Sequence, residues 1–375
     1  MIMKSYSCSW PLLILFILFN APTLSSQDFD IRGRLHMDAF MGLSDADQFS
    51  NGFNNRRARL GMNGTITDGW DGIVEVDFAG AGVSANDFRL RRTFNDGSHL
   101  MIGHFKVPQG LNELTSSNNI AFIERTTVSN MITDARRMGV SYARFGDQYG
   151  FQTMLFGRAI GQRGAIQGDM PLGAALRGVY APQVGSSTLH LGGSVVYEHL
   201  MDNNAIRFSD RPEARDSKGG QALIGLSIDD GVESTIKAGF EVAYLSGPFW
   251  MEGEILHVVV NMDQSNDPGF NGGHIQAGYI LTGESRSYSS GRFGTITPEG
   301  GSGAWEVIAR FSNTSLNDSG YTGGKQNNVT IGLNHHVSSN LRFMANVIFV
   351  NVSDLPNDAS DQNPIIAALR AQFNF

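Results

Sequence analysis

From Phe29 onward, apolar and polar residues alternate with period two in segment after segment, and no helical period competes over any comparable stretch. In the first segment Phe29, Ile31, Gly33, Leu35 and Met37 oppose Asp30, Arg32, Arg34, His36 and Asp38. The next sets Ala58, Leu60, Met62 and Ile66 against Arg57, Arg59, Asn63 and Thr65. Trp70, Val74, Val76 and Phe78 then face away from Asp71, Glu75 and Asp77, and Phe88 and Leu90 from Asp87, Arg89 and Arg91. The pattern returns at 189–197, 236–244, 275–281, 305–311 and 341–351. Successive side chains of a strand point to opposite faces, so each segment predicts a strand with one apolar and one polar face.

A soluble sandwich alternates too, but rarely needs so many strands of this length. A transmembrane barrel turns its apolar face to lipid and its charges to a wet lumen, with ~9 to 11 residues per strand. An arginine facing lipid near the midplane costs ~2–4 kcal/mol. Arg32, Arg34, Arg57, Arg59, Arg89 and Arg91 all fall in the polar phase, which marks that phase as the inside. The pattern therefore predicts an all-β, transmembrane antiparallel barrel.

The final segment alternates Ile365, Ala367, Leu369, Ala371, Phe373 and Phe375 with Arg370, Gln372 and Asn374, and the chain stops there. An aromatic end in the outward phase resembles the C-terminal signature of bacterial outer-membrane proteins. The resemblance implies that Phe375 is an assembly signal for the barrel-assembly machinery.

Asp or Asn beside Gly at 67–69, 95–97 and 145–147 predicts tight turns, because Gly supplies the positive φ that such hairpins need. Longer polar segments lie between them, at 44–55, 79–86 and 107–136. Short turns belong on the periplasmic side and long loops outside. Seventeen segments alternate, whereas a barrel with both ends in the periplasm needs an even number. Assigning 221–229 to a long external loop leaves sixteen, and makes 283–303 an unusually long periplasmic connection.

Composition narrows the class. The 375 residues carry 28 Lys+Arg against 36 Asp+Glu, a net charge of −8, which argues against a nucleic-acid partner. The 45 glycines favour turns and strands and follow no three-residue period, which excludes collagen. The only long apolar run, 10–19, is too short to span a bilayer as a helix. Lys4 precedes it and small residues follow, so 1–26 reads as a cleaved secretory signal and 27–375 as a single barrel domain. Cys8 leaves with that signal, and without thiols an exported chain needs another source of cohesion, which a closed sheet supplies.

Arg56-Arg57-Ala58-Arg59-Leu60-Gly61, Asp77-Phe78-Ala79, Gly103-His104-Phe105-Lys106-Val107-Pro108, Glu113-Leu114-Thr115-Ser116-Ser117, Phe122-Ile123-Glu124-Arg125 and Arg136-Arg137-Met138-Gly139-Val140 together resemble the phosphate-selective porin O and P family. Arg211-Pro212-Glu213, Gly247-Pro248-Phe249, Glu252-Gly253-Glu254, Gly303-Ala304-Trp305-Glu306 and Ile331-Gly332-Leu333-Asn334 extend the resemblance along nearly the whole chain. It implies a sixteen-stranded outer-membrane porin, usually a homotrimer. It also implies that the third external loop, here 107–136, folds into the lumen and that basic residues draw anions through the constriction.

Fixed positive charge in a low-dielectric wall selects anions, and arginine suits oxyanions through its planar fork of donors. The polar phase holds 14 basic residues, from Arg32 to Arg370, against 11 acidic ones, an excess of only 3. Cross-strand pairs that merely neutralise one another therefore compete with a pore role for any given residue. Arg56, Arg57, Arg59, Arg125, Arg136 and Arg137 cluster around the inward loop with few nearby acids and are the best constriction candidates; Arg89, Arg91 and Lys106 complete the anion pathway. Glu124 is expected to anchor the loop by pairing with one of these arginines.

The chain departs from the family in lysine, with only Lys106, Lys218, Lys237 and Lys325 after the signal. The expected function is passive diffusion of small inorganic anions, oxyanions including phosphate among them, across the bacterial outer membrane. A weakly selective general-diffusion porin and a non-conducting structural or adhesive barrel are the alternatives. Enzyme chemistry is thin: Gly139-Val140-Ser141-Tyr142-Ala143 lacks the second glycine of a nucleophile elbow. His335 and His336 point to opposite faces of one strand, so no metal or cofactor is expected. Outer-membrane lipid and lipopolysaccharide are the remaining partners; the acidic segments at 263–267 and 354–361 read first as solvated loops, with divalent-cation binding alongside lipopolysaccharide as the alternative.

Overall fold

The structure is a computed structural model that describes residues 28–375 except 48, 162–170, 202–204 and 216–221; the proposed signal segment, 1–26, lies outside the described residues. Sixteen long strands form its wall. They are β1 (Phe29–Ser44), β2 (Gly52–Thr67), β3 (Trp70–Asp77), β4 (Ser84–Thr93), β5 (His99–Lys106), β6 (Arg136–Phe145), β7 (Tyr149–Phe156) and β8 (Leu172–Tyr180), then β9 (Ser187–His199), β10 (Val232–Ser246), β11 (Phe249–Met262), β12 (Gly269–Ile280), β13 (Ala304–Asp318), β14 (Tyr321–His336), β15 (Leu341–Ser353) and β16 (Ile365–Asn374). A two-residue strand, Gln183–Val184, joins the same sheet beside β9. Each long strand pairs antiparallel with the next, and β16 returns to β1 with Arg34 opposite Asn374 and Ser44 opposite Ile365. Among the described residues closure leaves the wall no open strand edge, the condition for a sheet in hydrocarbon.

The even count has the predicted origin. Ile224–Ile228 is extended, but it pairs with Ile206–Asp210 as a separate hairpin within the β9–β10 connection rather than with the wall. Turns fall at 68–69, 94–98 and 146–148, with Gly69 and Gly97 at φ 69° and 78°, and the longer connections alternate with them.

The period-two pattern reappears as exposure. Ile31, Leu60, Leu90, Leu155, Val195, Ile255 and Leu369 are exposed, whereas Arg34, Arg57, Gln152, Ser194, Glu254 and Arg370 in the opposite phase are buried. One expectation needs correcting: the inward phase is not polar throughout. Toward the external ends of β11, β12 and β15 it becomes apolar, with Leu256, Val258, Val260, Phe270, Ile348 and Val350 all buried. These side chains pack with Ile123, Val128 and Ile132 of the 107–135 connection and with Phe208, Ile224 and Ile228 of the external hairpin. Apolar side chains here meet folded loops instead of water, so burial drives the packing as it would in a soluble core.

Candidate functional site

Two connections lie against the inward phase of the wall and shape what is left open. The first, 107–135, carries short helices at Leu111–Leu114 and Thr127–Ile132; Thr126 caps the second by accepting from Ser129 N–H. The wall binds it through its backbone. Arg342 donates to the carbonyl of Ile120 at 3.0 Å, Arg370 to that of Ile123 at 2.5 Å and Arg310 to that of Glu124 at 3.0 Å, while Asn346 accepts from Ile123 N–H at 2.9 Å. On the opposite flank Asn112 donates from its backbone N–H to Glu254 and from its side chain to Glu252. A loop buried without such partners would leave its amides unsatisfied.

The second is the long β12–β13 connection. Arg286–Ser289 pairs with Arg292–Ile296, and the chain reverses at Ser290 and Gly291, whose φ values of 49° and 69° are those of a two-residue primed turn. Its tip reaches β8, where Arg177 donates to the carbonyl of Gly291 at 2.8 Å and pairs in a fork with Glu241 at 2.7 Å. Tyr288 meets His190 Nδ1 at 2.5 Å, and Arg286 stacks on Trp250 and Phe293 while donating to the carbonyl of Asn119. The two connections are thus tied together.

What they leave is a chamber of about 310 Å³ on the β1–β7 side. Arg32, Arg34, Arg57 and Arg59 border it from β1 and β2, and Arg89 and Arg91 from β4. Lys106, Arg125, Arg136 and Arg292 complete ten basic residues, against Asp87 and Glu113 as the only acids of that lining. Of the nine basic residues singled out in the sequence, seven border this chamber directly; Arg56 and Arg137 do not.

Arg56 and Arg57 are adjacent in sequence, yet neither faces lipid. The β1–β2 register shifts between His36, opposite Arg57, and Met37, opposite Asn55, so Arg56 is the extra residue of a β-bulge. Arg56 forks onto Glu124 at 2.5 and 3.1 Å, and Glu124 also accepts from Arg370 at 3.2 Å. Arg57 is buried and donates to His36 Nδ1 at 3.3 Å; its Nε has no partner among the described residues. Because a guanidinium only donates, His36 Nδ1 accepts and its Nε2 carries the proton toward Asn118 at 3.2 Å.

The other candidates divide by what holds them. Arg59 pairs with Asp77 at 2.7 Å and Arg91 with Asp71 at 2.7 Å, whereas Arg89 is 3.9 Å from Asp71 and its Nη1 makes no hydrogen bond within the described residues. Arg136 forks onto Asp87 at 3.1 and 3.0 Å. Arg137 turns away from the chamber to Asp134 and Glu198, beside Lys237. Lys106 pairs with Glu113, and Arg125 pairs with Glu113 while donating to the carbonyls of Asn112, Glu113 and Thr115. Burial pushes the Glu113 carboxyl up, but Arg125 and Lys106 outweigh it and hold its pKa at about 2.

Sequence reasoning missed three contributors. Glu213, buried at φ 59°, accepts from Arg310 and Ser312 at 2.5 Å each, and no alternation signals a lone loop acid. Arg286 and Arg292 sit on the periplasmic hairpin, whose unusual length was the only available clue. His336 is buried against Glu306 at 3.2 Å, while His335 stacks on Trp305. At the chain end, Phe375 exchanges backbone hydrogen bonds with Gly33 at 2.9 and 3.1 Å, and its ring covers the space a Cβ on Gly33 would occupy.

The solved structures of OmpT of Vibrio cholerae in trimer form (TM-score 0.62, 12% identity, 94% of this chain and 100% of that one) and of the anion-selective porin from Comamonas acidovorans (TM-score 0.57, 14% identity, 93% and 100%) share this fold. Porin O of Pseudomonas aeruginosa is 25% identical over 360 residues, which cover 85% of this chain and 81% of that protein. The model of the family described as "Phosphate-selective porin O and P" matches residues 29–375, and with that match across the whole barrel the chain belongs to this family of bacterial outer-membrane porins.

Proposed function

We propose that this porin conducts small inorganic anions, phosphate and other oxyanions among them, and that solute passes through the chamber bordered by β1–β7, the inward-folded 107–135 loop and the β12–β13 hairpin. One observation carries the reading: ten basic residues border the chamber and two acids do. Carboxylates behind the lining, Glu75, Asp71 and Asp77, neutralise part of that charge. Arg57 nevertheless keeps a buried Nε without a hydrogen bond among the described residues, and Arg89 Nη1, 3.9 Å from Asp71, makes none there either. A buried charged donor left unsatisfied costs ~1–3 kcal/mol or more, so such groups favour a passing anion over a passing cation. Arginine forks match the geometry of oxyanions, and exchange of a solute between several such groups lets it leave as readily as it enters.

In this reading Glu124 anchors the loop, Arg125 shapes it from within, and Phe375 serves assembly. The trimer form of a structural neighbour supports a homotrimer here. Zero-current potentials of purified protein in a planar bilayer under a salt gradient test the proposal: the potential should have the sign of anion preference, and phosphate should reduce chloride current. A potential of the cation-selective sign would overturn it.

A further inference from the structure

The periplasmic hairpin need only block part of the lumen to act as a plug, and a plug has no use for an unpaired charge at its turn. Yet Arg292, the residue following Ser290 and Gly291 at the turn, borders the chamber half-buried. Arg89 and Arg91 border the same chamber, Arg177 clamps the neighbouring Gly291 carbonyl, and Arg292 pairs with no carboxylate among the described residues. Arg177 is already neutralised by its fork onto Glu241. Arg89 and Arg91 share one carboxylate, Asp71, at 3.9 and 2.7 Å. With Asp87 forked onto Arg136 and Glu113 held by Lys106 and Arg125, the three guanidinium groups of Arg89, Arg91 and Arg292 are left facing a single further acid, Asp71, among the described residues.

The hairpin is also fixed in place. Its turn is clamped by Arg177 at the Gly291 carbonyl, its first strand by Tyr288 on His190, and its base by Arg286 between Trp250 and Phe293. A Cβ on Gly291 would come within 3.0 Å of Val179 and 3.1 Å of Arg177 Nη1, so the tip is seated against β8. Holding a cation rigidly among cations opposes folding through like-charge repulsion and desolvation. An anion at that point reverses the sign of the interaction.

We propose that Arg292 is a specificity-determining residue of the channel, forming with Arg89 and Arg91 a three-guanidinium station for oxyanions where the periplasmic hairpin meets the chamber. The station rests on the anion-conducting reading above. It makes selectivity depend on two separate connections, the external loop and this hairpin. A guanidinium trio with one internal acid carries a net charge of +2, enough to hold a phosphate briefly without a lysine.

The test compares wild type with Arg292→Gln, Arg292→Glu and Arg292→Lys in planar bilayers, after heat-modifiable gel mobility has shown each barrel folded. Arg292→Gln should lower the anion-to-cation permeability ratio roughly fivefold, the Boltzmann factor for a unit charge acting across a few ångströms of water. Arg292→Glu should lower it further, and Arg292→Lys should keep the ratio while weakening inhibition of chloride current by phosphate. Folded Arg292→Gln and Arg292→Glu proteins with the ratio of an anion-selective wild type would overturn this assignment alone. A cation-selective wild type would overturn both it and the reading beneath it.

Discussion

Arg56 and Glu124 clasp each other in a two-pronged ion pair, 2.5 Å from Nε and 3.1 Å from Nη2, that fastens the 107–135 loop to the bulge in β2. Glu124 is also shared with Arg370, which itself forks onto Asp38 at 2.6 and 2.7 Å. The carboxylate is thus the point where the loop joins β2 and β16, close to the seam at which the barrel closes.

Glu124→Gln leaves those two guanidinium groups facing an amide. Removing one partner of a buried ion pair costs ~3–5 kcal/mol, so the unfolding temperature of the barrel should fall measurably. Current noise should rise as well, because the loop loses its tie to β2. A variant with wild-type thermal midpoint and quiet current would show that the clasp holds nothing.

Arg57 and Arg125 both border the chamber but differ in what their donors do. Arg125 spends its donors on the loop's own carbonyls and Glu113, whereas Arg57 keeps Nε unpartnered among the described residues. Arg57→Gln should shift the zero-current potential toward cations with little effect on stability. Arg125→Gln should do the reverse, lowering stability by ~1–3 kcal/mol through orphaned carbonyls, with a smaller change in potential. Equal shifts in potential from both variants would contradict this division.

The wall was legible in the sequence because lipid and water impose opposite demands on alternate residues, so Leu60 and Arg59 declare their faces without further context. The even strand count was legible for a similar reason. The site was legible only in part. Arg56 is out of phase with Arg57 and Arg59, and no periodicity reveals that a bulge turns it toward Glu124. Arg137 shares the inward phase with chamber residues, yet Asp134 and Glu198 draw it elsewhere. Arg292 lies in a segment with no period at all, and Leu256 and Phe270 face inward because loops, not water, cover them.

Acid should loosen the loop before it unfolds the barrel. The Glu113 carboxyl is held at about 2 against an ordinary 4.5 because Arg125 and Lys106 outweigh its burial. A depressed folded pKa contributes stability that is complete above the ordinary value and is lost as pH falls through the folded one. That shift corresponds to about 3 kcal/mol. The loss should therefore run between pH about 4.5 and about 2, and current noise should grow across that window. In Glu113→Gln the extra noise should be present at neutral pH and should not change in the same window. A wild-type trace indifferent to acid down to pH about 2 would remove Glu113 from the account.

Phe375 closes the barrel twice, once through the backbone pair with Gly33 and once through a ring that lies over that glycine. Covering a strand glycine with a cross-strand aromatic replaces packing that the glycine cannot supply. Phe375→Ala keeps the backbone pair but uncovers Gly33, so the folded barrel should be only modestly less stable, by ~1 kcal/mol or less. If the terminal aromatic is also the group that the assembly machinery reads, the yield of folded protein in the outer membrane should drop far more than that stability loss explains. Refolding the variant from urea into detergent separates the two roles. Near-normal refolding with poor yield in cells would assign Phe375 to assembly. Equal deficits in both settings would assign it to packing against Gly33 alone.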